Sequence, residues 1–201
     1  MEKELDEVKQ KRKKSRQAIK EITYLAIGIA LFVAMSMCLR VPVFENYYLC
    51  LGYVVMTVYI WCFNWYDGAA VGFFGVFLYC LIGGLGFNGA PGWAIGNIVI
   101  GLILGIFLKA IKFFNKNREE TRRSKVGLLI AVAVVATIAT FIGIMLVKSA
   151  VDMVIVSQPF GVRFVKNFNS FIADAFVIVF SIPICLILDK PARLLRYGTT
   201  K

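Results

Sequence analysis

Long apolar runs alternate with short charged bunches along this chain. Six runs stand out, at about 22–39, 47–63, 69–83, 93–114, 126–147 and 168–188. A helix needs about 20 consecutive apolar residues to cross the hydrocarbon core of a bilayer, and several runs reach that length. The second and third are the shortest, and segments of that kind tilt or pack against neighbours instead of facing lipid throughout. The pattern predicts an all-α integral membrane protein with six transmembrane helices. A basic segment over 1–20 precedes the membrane domain (21–190), and a basic tail (191–201) follows it. No tandem repeat or low-complexity linker divides the chain.

Composition agrees with this reading. Hydrophobic residues make up 59% of the 201 and charged residues only 17%, where a soluble domain carries about a quarter charged. The net charge of +11 comes from three basic clusters. Eight Lys and Arg lie in 1–20, seven in 109–125 and four in 190–201, nineteen of the 23. With six spans these three regions share one face of the membrane, and the positive-inside rule puts both termini in the cytoplasm. Arg40, Lys148, Arg163 and Lys166 are left for the other side, in outer loops at 40–46, 84–92 and 148–167. The last is long enough to hold a short re-entrant or surface segment. The first run reads as a span, since Ser36-Met37-Cys38-Leu39-Arg40 is a poor leader cleavage site. Few aromatic residues, only Phe113, Phe114 and Tyr197, lie among the basic clusters, so nucleic acid is not the expected partner.

Catalytic chemistry finds little footing. The chain has no His, no nucleophile-elbow or metalloprotease motif, and no Walker motif to power transport with ATP. Cys38, Cys50, Cys62, Cys80 and Cys185 sit in apolar runs without a C-x-x-C pair and read as small packing residues. No enzyme activity, cofactor or metal is expected.

Four features carry candidate function. The stretch GLGFNGAPGW (84–93) contains G-x-G-x-x-G. A dinucleotide fingerprint follows a buried strand and has an acid about 20 residues on, but here a membrane-type run precedes it and Lys109 stands near the acid position. A hairpin between helices and a lid over a ligand both remain open, with Asn88 and Trp93 offering hydrogen bonding and stacking. Ala26, Ala30 and Ala34 recur every four residues, so they share one helical face that admits a close neighbour. That neighbour is either another helix of this chain or a separate membrane subunit. Gly101 and Gly105, with Gly96 and Asn97, form a comparable ridge in the fourth run. Asp174 lies about two turns inside the sixth run, where an ionisable group is costly and marks either a polar pocket or a structural pair. Asp152, Arg163, Lys166 and Asn167 cluster just before it.

These motifs together resemble the substrate-binding S-components of energy-coupling factor (ECF) vitamin transporters. Six spans, about 200 residues and the AIGIALFVA ridge carry the likeness. It is closest to the riboflavin-type subgroup, through VPV (41–43), VGFFGVFLYCLIGGLGFNGAPGWAIGNIVIGLILGIFLK (71–109) and SQPFGVRF (157–164). The subgroup's His and acid near the outer end of the third helix are replaced here by YCLIGGLG, and its second Trp pattern by Gly92-Trp93. Riboflavin and cobalamin both stand as ligands. The resemblance implies a prokaryotic cell-membrane subunit that captures a vitamin outside and delivers it through a transmembrane coupling subunit and two cytoplasmic ATPases. Ala26, Ala30 and Ala34 would dock on the coupling subunit. Trp93 would stack on the ligand, and Asn88, Asn97, Asp152, Asn167 and Asp174 would hydrogen-bond it. Arg163 and Lys166 would pair with a carboxylate or phosphate. The alternative is a stand-alone secondary transporter or channel for a small organic solute.

Overall fold

A computed structural model describes residues 2–38, 41–44, 47–84, 90–114 and 122–197. Seven α-helices account for nearly all of them: α1 (Glu2–Cys38), α2 (Gly52–Cys62), α3 (Trp65–Ile82), α4 (Ala90–Phe114), α5 (Arg122–Thr140), α6 (Ser149–Val156) and α7 (Phe160–Tyr197). Five stretches within these elements are long and apolar enough to cross a membrane, and α2 is a shorter apolar helix. Each of the six apolar runs thus contains a helix, and the chain is a multi-pass membrane protein.

The structure departs from the sequence pattern in two places. Val41–Phe44 and Tyr47–Leu49 form an antiparallel hairpin, β1 and β2, with a bulge between Pro42 and Phe44. The second run, expected as a helix from residue 47, therefore starts as a strand. Val41, Val43 and Phe44, then Tyr47 and Tyr48, are β-branched or aromatic residues that favour extended backbone. The expected long outer loop at 148–167 is also mostly helical. α5 passes through a π-helical stretch, Phe141–Lys148, directly into α6. Only Ser157–Pro159 interrupts the helices before α7. Ser157 ends α6 in the left-handed region (φ 52°), and Pro159 accepts hydrogen bonds from the N–H groups of Val162 and Arg163 at the first turn of α7. Regular backbone is the rule here because a loop at membrane depth leaves polar groups without water.

The helices form a closed circuit. α1 packs on α3, α3 on α4, α4 on α5, α5 on α7, α7 on α2, and α2 back on α1. α2 also touches α3 and α4 across the circuit. Phe32, Tyr53, Met56, Val71, Ile100, Leu104, Ile144 and Ile178 fill the interior and are fully buried. The outer faces are apolar too, with Ile130, Phe176, Phe180 and Ile187 each at least 60% exposed, as lipid contact requires.

Small residues set how close the helices come. Gly96 of α4 lies against Gly143 of the π-helical stretch, and a Cβ on Gly96 would stand 2.6 Å from the Gly143 carbonyl oxygen. Backbone meets backbone there, the arrangement that drives helix association in lipid. Gly127 of α5, in contrast, has nothing within 4 Å of a Cβ position. Gly96→Ala should therefore destabilise the protein by about 1–3 kcal/mol through overpacking. Gly127→Ala should raise stability by up to about 1 kcal/mol through helix propensity. Thermal unfolding of the two variants side by side in one detergent checks both signs.

Candidate functional site

Two buried polar groups of residues lie inside the circuit. In the first, the Asn97 side chain on α4 is fully buried and bridges two neighbours. Its Nδ2 donates to the Gly72 carbonyl on α3 at 3.0 Å, and its Oδ1 accepts from the Tyr53 hydroxyl on α2 at 2.9 Å. The Trp93 indole Nε1, one turn before Asn97, donates to the same hydroxyl at 2.6 Å. Asp174 from α7 is a further side-chain partner of Tyr53 and is 4% exposed. The Trp93 ring meets Tyr79 of α3 edge-on, with centroids 5.8 Å apart.

The second group sits where the π-helical stretch, α6 and α7 meet. Lys148 Nζ forms an ion pair with Asp152 Oδ2 at 3.0 Å, four residues on along the same helical face. It also donates to Asn167 Oδ1 on α7, and Asn167 Nδ2 donates to Ser149 Oγ at 2.9 Å. The other carboxylate oxygen of Asp152, Oδ1, lies against Gly92 at the start of α4, where a Cβ would collide with it. That oxygen has no hydrogen-bond partner, and neither do Gln158 Oε1 and Arg163 Nε. The two groups adjoin through Gly92, which meets Asp152, and Trp93, which donates to Tyr53.

The structure thus brings together five of the expected residues: Trp93, Asn97, Asp152, Asn167 and Asp174. Arg163 is half-buried near the start of α7 and Lys166 is exposed. Asn88 lies outside the described residues. Tyr53, Lys148 and Ser149 were missed by sequence reasoning. Lys148 and Asp152 stand at i and i+4, a signal that counts only once 148–156 is read as helix and not as loop. Tyr53, one of eight tyrosines, carries no such signal.

The face of α1 is also resolved. Gly28, Phe32, Val33 and Ser36 turn inward, while Ala26, Ala30 and Ala34 are all exposed. The alanine ridge is therefore not the contact between α1 and the rest of its own chain.

The Lys148–Asp152 pair is 14% and 2% exposed by side chain, so losing one partner strands a buried charge. Lys148→Met should cost about 3–5 kcal/mol of stability, and adding Asp152→Leu should return most of it. Chemical or thermal unfolding of the two single variants and the double variant measures the coupling.

Comparison with known proteins completes the assignment. No curated protein and no solved structure matches the chain. A family model does, that of the ECF-type riboflavin transporter, S component, over residues 16–190. The chain belongs to this family and is a substrate-binding membrane subunit of an ECF transporter.

Proposed function

We propose that the chain captures riboflavin in the polar chamber between α2, α4, α6 and α7 and hands it to an ECF module. The single observation that carries this reading, beside the family, is the incomplete pairing inside the chamber. Asp152 Oδ1 is buried and unpaired, and an unpaired buried acceptor costs about 1–3 kcal/mol unless something donates to it. A ligand with N–H or O–H groups along a planar edge supplies that donor.

In this reading Trp93 stacks on the flat ring, and Asn97, Asp152, Asn167 and Asp174 line its polar edge with Lys148. Arg163 and Lys166 meet a carboxylate or phosphate on charged analogues. The 84–92 segment, with Asn88, gates the chamber from outside the cell. Both termini are cytoplasmic, so residues 21–190 form the membrane binding domain between the basic segment 1–20 and the basic tail 191–201. The exposed Ala26–Ala30–Ala34 face docks on the transmembrane coupling subunit, and two ATPase subunits supply the energy. Support for the docking face is its small side chains and its freedom from the chain's own helices.

Riboflavin fluorescence should quench on titration with the purified protein, and cobalamin should not compete. Trp93→Ala should weaken binding by about 5- to 150-fold, the worth of one aromatic stacking contact at about 1–3 kcal/mol. Tight cobalamin binding with no riboflavin binding overturns the assignment of ligand.

The docking face has its own test. Ala26→Trp with Ala30→Trp should abolish vitamin uptake by cells that contain the ECF module while leaving ligand affinity within about twofold, since the ridge is far from complementary to a bulky ring. Loss of binding and uptake together would assign the ridge to folding instead.

A further inference from the structure

The first helix carries two parallel stripes at the same spacing. Gly28, Phe32 and Ser36 face the protein and are buried, while Ala26, Ala30 and Ala34 face outward. The stripes are two residues apart, about 200° around an α-helix at roughly 100° per residue, so they stand back to back. Whatever holds the inner stripe in place therefore decides where the outer one points.

Three contacts hold the inner stripe. At one end Ser36 Oγ lies 3.2 Å from Cys50 Sγ. In the middle the Phe32 ring meets Tyr53 edge-on, with centroids 6.2 Å apart, and lies against Gly75, where a Cβ would stand 2.5 Å from it. At the other end the Tyr59 hydroxyl on α2 donates to the Tyr24 carbonyl of α1 at 2.7 Å. This third contact differs in kind. A ring packed on a ring can slide or turn, but a hydrogen bond to a main-chain carbonyl is directional, and its acceptor has no rotamer to change. Gly28 makes the contact possible. A Cβ at position 28 would stand 2.5 Å from Tyr59 Cζ and 2.8 Å from its hydroxyl oxygen, so a side chain there would push the hydroxyl off α1. Ala26 lies between Tyr24 and Gly28, so the bond grips the turn that carries the alanine face.

We propose that Tyr59 is the positioning residue for the docking face: its bond to the Tyr24 carbonyl sets the rotation of α1 about its own axis and so aims Ala26, Ala30 and Ala34 at the coupling subunit. The inference rests on the docking role given above to that face. Rotation matters because Ile27 and Leu31 flank the ridge and are each 48% exposed. A small turn of α1 puts these bulky side chains where helices must approach closely. Tyr59 stands six residues from Tyr53, roughly 9 Å along α2, and its one hydroxyl proton goes to α1, away from the chamber. Docking and ligand binding are thus separable at this residue.

The test titrates the full chain, purified in detergent, with a purified ECF module and, separately, with riboflavin. Tyr59→Phe removes the hydroxyl alone. It should weaken docking by about 5- to 10-fold, the order of one hydrogen bond. Riboflavin affinity should stay within about twofold of the wild type, as for sites that share no partner. Gly28→Ala, which displaces the same hydroxyl, should do likewise. Ala30→Leu separates aiming from a plain loss of stability. It should weaken docking of the wild type but add less than about twofold on the Tyr59→Phe background, since two changes acting through one face do not add. Docking unchanged by Tyr59→Phe overturns the proposal, as do full additivity with Ala30→Leu and a joint loss of docking and riboflavin affinity. A wild type that never docks brings down the docking role of the ridge as well, whereas docking that survives Tyr59→Phe brings down this inference alone.

Discussion

The hydrogen bonds that meet at the Tyr53 hydroxyl hold the molecule together. In the hydrocarbon core no water competes for polar groups, so each must find a partner within the protein. Asn97 uses its donor on the Gly72 carbonyl and its acceptor on Tyr53, and Tyr53 in turn takes the Trp93 indole and faces Asp174. One tyrosine and one asparagine thereby pin α2, α3, α4 and α7 at a single depth. Lipid tails are as apolar as the helices they surround, so hydrophobic burial alone does little to keep helices in contact. Polar pairing and close glycine packing supply the rest.

The interior and the exterior follow different rules as a result. Inside, the first polar group is closed on itself, while the second, around Lys148, leaves a carboxylate oxygen of Asp152 without a donor. The helix circuit is thus complete as a scaffold and incomplete as a hydrogen-bond network. Outside, two surfaces depart from plain lipid contact and lie on different helices. The alanine face belongs to α1, which packs on α2 and α3, and an apolar groove lies between α5 and α7.

Much of this was legible in the sequence. Apolar runs of span length become helices with little ambiguity, because backbone in a bilayer has few alternatives. The chemistry of the site was half legible. An aspartate in an apolar run and an asparagine between glycines stand out against their neighbours, which is why Asp174 and Asn97 were found. Tyr53 did not stand out, since its ring suits an apolar run and its hydroxyl matters only beside Asn97, 44 residues away. The segment after Thr140 was misjudged for another reason. Lys148, Ser149 and Asp152 look like loop residues, yet they lie on continuous helix, where Lys148 pairs with Asp152 and reaches Asn167 of α7. The hairpin at Val41–Leu49 was hidden by composition, because β-branched and aromatic residues are as common in membrane helices as in strands.

One feature of α1 has mechanical weight. It runs unbroken from Glu2 to Cys38, roughly 55 Å of rod where the hydrocarbon core needs only about 30 Å. About 17 residues, roughly 25 Å, therefore project beyond the core as an extension of the alanine-faced segment. No proline interrupts the rod, so it works as a lever. A change of about 10° in the inclination of the embedded half sweeps the far tip sideways by roughly 4 Å, with the same 1.5 Å rise per residue setting the arm. The basic stem is in this sense a pointer that reports, outside the bilayer, the attitude of the helix within it.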